Sequence, residues 1–427
     1  MRSLRTCTRV LAVVATIAVT ASVAWLAPAS GELDPTFSGD GKVFLRSAPS
    51  SVEALADGGA LSVEPSWLVR RFTAAGPRDT TFGGGDGMVM PDFGMFDQMA
   101  TDTALQPDGK LVIVGSLSSE ASGADLTGVA RLTPNGALDP TFSDDGLKVI
   151  PPGPWRFMGS TVSVTPTGRI VVAGTTNVFF PSEPETTDAA AVVLTAAGAR
   201  SRTFGGGDGI ATVDLAGDQD TGEGVAVQPD GKIVLVLTSW IPGAVEPRLA
   251  LARLTSGGAL DASFSGDGRM LITFRADVPR WQGSYGGDVE VHAGTGDVYA
   301  GGSVANDTDE DAGAYFAVAR VSSSGMVERR WTTLGGHLGG LSAISLVGRD
   351  VVAVGSWRWS VADCCAWSIA RFGSVEYLRP LNFEEETDFN GGAFDVDVVD
   401  GKAFVVGDVS AEVNGQSRSG AVARFIA

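Results

Sequence analysis

Few residues here have the type and spacing to do chemistry. Asp307, Asp309 and Asp311 alternate in the run NDTDEDAG, which is how a calcium loop begins. Ala312 stands where such a loop wants glycine, and no glutamate closes it, so the run also fits a solvated acidic loop. Trp240, Trp281, Trp357 and Trp359 lie in stretches that also hold Asp218, Asp220, Glu384 and Asp388. Flat apolar area beside carboxylate acceptors suits a sugar ring or a peptide; the same tryptophans would equally cap the ends of strands. The only histidines, His292 and His337, are 45 residues apart and lack zinc-ligand spacing. There is no G-x-S-x-G, no phosphate loop and no dinucleotide fingerprint. GGGDG at Gly83 and Gly205 lacks the lysine and following helix that cradle a phosphate. Non-catalytic chemistry is the expectation, with calcium the one cofactor the chain could hold.

The elements that would position these residues are written several times over. GALDPTFSDDGLKV from Gly136 recurs around Phe37, Phe82, Phe142, Phe204 and Phe264, at intervals of 45, 60, 62 and 60 residues. A long fixed period marks one supersecondary unit copied along the chain. Each copy adds three pieces: an alternating run ending in a tight turn (Asp102 to Lys110), a β-branched run closing on glycine (LVIVGS from Leu111), and a strand around Ala-Arg (VARL from Val129). The motif itself supplies a fourth strand, started by Asp139-Pro140, which favours extended backbone. No stretch after the leader shows helical spacing, so the expected fold is all-β.

Four antiparallel strands per copy make the blade of a β-propeller. The Ala-Arg strand falls at Arg71, Arg131, Leu194, Arg253, Arg320, Arg371 and Arg424, which predicts seven blades, repeats 1 to 7 below. Repeat 7 lacks its fourth strand, while residues 33–45 carry a spare one at the other end. The N-terminal strand is therefore expected to complete the last blade and close the ring. The recurring arginine is expected to bond a neighbouring turn, and the recurring Asp-Gly turns to be structural.

Arg2, Arg5 and Arg9, an apolar run over residues 10–26 and a small-residue zone at 27–30 read as a secretory signal. Residues 31–427 are then one domain, secreted, with no membrane attachment after cleavage, and monomeric. The formal charge of −19, or −22 without the leader, excludes a nucleic-acid partner. Only Cys364 and Cys365 remain after Cys7 leaves, so no disulfide framework holds the fold.

LDPTFSGDGKV, AVQPDGKIV and ARLTPNG together resemble the bacterial delta-60 repeat family, a β-propeller domain of unknown function. The resemblance is strong through Phe274 and weaker beyond it. It implies a propeller in an exported protein and brings no assigned activity. The long, dissimilar connections all fall on one face, which becomes the expected contact surface for a polysaccharide or protein partner. The alternative is a carbohydrate-active hydrolase or lyase using carboxylates at the central channel.

Overall fold

The computed structural model describes residues 31–427, except 96, 119–124, 152–155, 179–185, 216–218, 242, 245, 279–280, 307–312, 334–338, 359–364, 375, 382–390 and 414–415. Among the described residues the chain is all-β, with a single short 3-10 turn at Gly205–Gly207. The strands form antiparallel sheets, five of four strands and one of eight. One parallel pairing, Thr187 with Gln219, ties the two halves of the larger sheet together.

Burial follows the sequence pattern. Second strands are apolar without interruption because both faces of each sheet are covered: Val234, Leu235, Val236 and Leu237 are all fully buried. The core lies between sheets. Val234, Val236 and Leu249 of repeat 4 pack with Val298 and Ala300 of repeat 5. Phe404 and Val406 of repeat 7 pack with Val52 and Ala60 of repeat 1. No sheet is buried without its neighbour.

The repeated motif proves to be a clasp between neighbours. Asp139 accepts Thr141 N–H at 3.0 Å and Arg131 Nε at 2.8 Å. The Arg131 guanidinium lies 4.8 Å over the Phe142 ring and donates at 2.6 Å to the Ala196 carbonyl in the next repeat's turn. Arg71 donates likewise to the Pro134 carbonyl, Arg253 to that of Ser323 and Arg424 to that of Ala74. The residue after each phenylalanine adds a backbone bond to the following turn, as from Gly83 N–H to Asn135 and from Ser143 N–H to Ala197. The register puts Val193, and not the Leu194 expected from sequence, at the arginine position of repeat 3; Arg169, standing where Lys110 and Lys232 stand, reaches the Ser256 carbonyl instead, at 3.5 Å.

This close approach also explains the turn glycine. At Gly136 φ is +88°, and a Cβ would sit 2.9 Å from Gly83 N and from the Phe82 ring.

The two ends of the chain meet. Lys42–Leu45 pairs antiparallel with Gln416–Ile426, Lys42 opposite Ala423. Leu33 bridges Phe425, and the buried Arg424 bonds Asp34 at 2.9 Å. Strands Val327–Thr332 and Tyr377–Leu381 occupy the fourth place in repeats 5 and 6, where the motif has eroded.

Candidate functional site

The first strand of each repeat is the inner edge of its sheet. These strands are Ser51–Ala54, Asp97–Leu105, Arg156–Val164, Gln219–Val227, Trp281–Val291, Leu341–Val347 and Ala393–Val399. Together they line one cavity of 280 Å³. An edge strand leaves a row of N–H groups without ladder partners. Aspartates answer part of that need. Asp102 accepts Thr103 N–H from its own strand and Val162 N–H from the next, both at 2.7 Å. Asp288 bonds Val289 N–H at 2.7 Å and Ile344 N–H at 2.9 Å. Asp395 bonds Val396 and Val52 N–H, both at 2.8 Å. Asp397 bonds Val398 N–H at 2.7 Å and Ala54 N–H at 2.8 Å. Bulges after Ala100, Gly286 and Ala393 turn Asp102, Asp288 and Asp395 to this position.

Two glutamates complete the lining. Glu53 accepts the Thr103 hydroxyl at 3.0 Å; that hydroxyl contacts Ser51 Oγ at 2.7 Å, and Ser51 Oγ donates to Asp395 at 2.8 Å. Glu290 shares its strand and face with Asp288, two residues away. Among the described residues the cavity is lined by six carboxylates and by no Lys, Arg or His.

Their titration follows from that setting. Burial, with the Asp395 charge behind it, pushes Asp102 up to about 7. Burial carries Asp288 to about 7 against its bond from Ile344, and Asp397 to about 6. Glu53 and Glu290 rise well above the usual carboxylate range, through burial and then through Asp397 and Asp288 respectively. Asp395 is raised by burial too. At neutral pH the channel therefore shares protons among its carboxyls, and it favours positive charge.

Met99, Met158, Tyr285 and Phe394 are exposed. Each precedes, in its own first strand, the residues that line the cavity, and none belongs to the lining.

A second acidic group lies towards the ends of strands on that same side. Carboxylate oxygens of Asp188, Asp214 and Asp220 lie within 4.8 Å of one another. Asp220 is buried and accepts Leu215 N–H at 2.6 Å. Burial, then the charges of Asp214 and Asp220, raise Asp188.

Asp307, Asp309, Asp311 and Trp359 lie outside the described residues, as do Cys364 and residues 1–30. Trp357 falls in the strand Asp350–Arg358. Trp240 ends the strand Ile233–Trp240, half-buried and opposite Gln219. Trp281 is 8% exposed, packed with Val278 and Val304, and the Arg248 guanidinium covers its ring at 4.2 Å. That face of the indole is occupied by the chain itself.

Sequence reading missed the channel carboxylates, although a signal was present. Asp288-Val-Glu290 and Asp395-Val-Asp397 put acids at alternate positions of a first strand, hence on one face, where other repeats read TVS or GVA.

No curated protein matches the chain. Among solved structures it is similar to virginiamycin B lyase from Staphylococcus aureus, with TM-score 0.49 and 11% identity, over 90% of this chain and 98% of that one. It is also similar to polysaccharide lyase Uly1, with TM-score 0.49 and 10% identity over 89% and 90% of the two chains. The WD40 β-propeller domain of Doa1 gives TM-score 0.46 and 10% identity over 90% and 97%. At such identities these are likenesses of chain path and not of activity. Among the described residues no helix is long and apolar enough to cross a membrane. Residues 106–142 and 228–264, each running from the turn glutamine to the motif phenylalanine, match the β-propeller domain of unknown function DUF5122.

Proposed function

We propose that this chain is a secreted, non-catalytic binding protein built as a seven-bladed propeller, with residues 1–30 a cleaved signal and residues 31–427 one domain. The eight-stranded sheet separates into two blades at its single parallel pair, since one bridge is not a ladder. The contact of Ala393–Val399 with Ser51–Ala54, and the pairing of Lys42–Leu45 with the last strand, support a ring closed by the N-terminal strand.

The observation that carries binding is the cavity of six carboxylates, with Met99, Met158, Tyr285 and Phe394 exposed on four of the strands that line it. Exposed apolar groups on such strands favour an interaction surface. The matching ligand carries an aliphatic stem with a cation at its tip, as a lysine- or arginine-bearing protein segment does. The stem lies on the apolar groups, the cation meets the carboxylates of the cavity, and Tyr285 and Phe394 add aromatic faces for it. Trp240, at the same end of its sheet, extends the contact.

Anisotropy of a labelled oligolysine peptide titrated with residues 31–427 tests this. Binding that weakens with salt, and that falls about tenfold in Met99→Ser with Phe394→Ser, supports the reading. Affinity no greater than for an oligoserine control removes it.

The hydrolase or lyase reading keeps one supporting observation: Glu53 and Glu290 hold their protons high in a solvent-reachable cavity, as a general acid must. Loss of reducing-end or unsaturated-product release in Glu53→Gln would favour it. The aspartates beside them are engaged by backbone N–H groups of two blades, which suits structure better than turnover.

A further inference from the structure

We infer a second kind of binding site, on the tight-turn side of the molecule: a pair of related sockets that take neutral, hydroxyl-rich ligands, the units of a saccharide. Each socket opens between the Gln-Pro-Asp-Gly-Lys turn of one repeat and the turns of the next. One has a volume of 480 Å³ between repeats 2 and 3, and the other 450 Å³ between repeats 4 and 5. Both lie at the opposite ends of the first strands from Met99 and Phe394, so this site is separate from the surface proposed above.

The chemistry of the lining decides the ligand. In the first socket Gln106 is only 6% exposed, its Nε2 donates weakly to the Gly168 carbonyl at 3.5 Å, and its Oε1 has no hydrogen-bond partner. A buried amide oxygen without a donor is destabilising, and a ligand O–H would supply the missing bond. Lys110 Nζ meets Asp108 at 3.1 Å and Asp139 at 3.4 Å, leaving one of its three protons to offer. Arg131 is already committed to Asp139, Thr141 and the Ala196 carbonyl.

Two cations face two carboxylates, so the socket is electrically balanced and gives no advantage to a charged guest. Pro107 and Pro166 add apolar walls for C–H faces. An acceptor, a spare donor and prolines around a neutral cavity fit a sugar's alternating O–H and C–H surface.

The second socket shares the lysine, the aspartates and the arginine, but its glutamine is engaged, with Nε2 donating to the Gly296 carbonyl at 2.9 Å. Lys232 Nζ lies 3.0 Å from Asp230 and 3.5 Å from Asp261, and Gln228 Oε1 stands 3.4 Å from Arg253 Nη1. Two such sockets on one rigid body would bind a repeating polymer with avidity. Between repeats 3 and 4 the place of the lysine is taken by Arg169, whose guanidinium reaches across to Ser201 and Ser256.

Affinity electrophoresis of residues 31–427 through gels containing dextran, xylan or galactan tests the inference. Wild type should be retarded by at least one of them. Lys110→Met with Lys232→Met should abolish retardation, and either single change should weaken it at least tenfold through lost avidity. Ala197→Trp fills the first socket from its exposed wall and should act like Lys110→Met, even if the lysine variants prove poorly folded. Retention of wild-type retardation by the folded double variant or by Ala197→Trp, or no retardation of wild type in any gel, overturns the proposal. Oligolysine binding should be unchanged in these variants, so this test and that of the opposite face fail separately.

Discussion

Raising the pH from 5 to 8 should destabilise this protein, and the channel says by how much. Asp102 and Asp288 titrate in the folded chain at about 7, whereas a free carboxyl titrates at 3.8. Across this range the unfolded chain keeps both ionised, while the fold holds their protons until the pH approaches 7. Stability from these two groups is therefore fully present below about 3.8 and is lost as pH rises through about 7. Between pH 5 and pH 8 the loss is about 2.5 kcal/mol for each, or on the order of 5 kcal/mol together. With an unfolding entropy of about 2 cal/mol/K per residue, that is a fall in Tm of about 6 °C. Asp397, at about 6, adds in the same direction.

The opposing groups act at lower pH. Against burial, bonds from Thr141 and Ser263 hold Asp139 and Asp261 at about 2, so their stabilisation is lost only as pH falls from about 4 through 2. Stability should peak at about pH 4 to 5. Calorimetry of residues 31–427 at constant ionic strength reads this directly. Glu53→Gln keeps an acceptor for the Thr103 hydroxyl and removes one charge; it should raise Tm at pH 8 and leave it unchanged at pH 5. A Tm higher at pH 8 than at pH 5, or a Glu53→Gln variant less stable at pH 8, would refute the reasoning.

Other outcomes follow from the clasps. Arg424→Met leaves Asp34 buried beside Lys402 alone and strips donors from the Ala74 carbonyl, so chemical denaturation should show a loss of about 3–5 kcal/mol. Gly136→Ala places a Cβ against Gly83 and Phe82 at a positive φ; a loss of about 1–3 kcal/mol is expected, with no change in far-ultraviolet dichroism. Removing residues 31–45 bares the edge strand Gln416–Ile426, and size-exclusion chromatography should then show association or aggregation in place of a single sharp species. Arg169→Ala should cost less than Arg424→Met, because its longest reach, 3.5 Å to Ser256, is a weak bond.

Much of the scaffold was legible in the residues because its cause is local and repeated. Alternation announced the first strands, and continuous β-branched runs announced the doubly covered second strands. Phe82, Phe142 and Phe264 each have an arginine 11 residues upstream, which pointed to a shared structural bond; over Phe142 and Phe264 the guanidinium on the ring is that bond, and Arg424 supplies it to Phe37 from the far end of the sequence. The Asp-Gly turns likewise serve the backbone, as where Asp145 accepts Leu147 N–H at 2.9 Å.

What the sequence determined by itself was the unit and its copying, since spacing within sixty-odd residues suffices to specify a sheet and its turns. What only the tertiary structure decided was where distant units meet. Ser51 and Asp395 lie 344 positions apart, yet they share a hydrogen bond at the channel wall. The acidity of that wall arises because separate strands, each with one or two unremarkable acids, present the same face to one axis. Burial and mutual repulsion then set their titration. Neither effect exists in any single repeat, because both depend on distance and on the exclusion of water by neighbours far away in the chain.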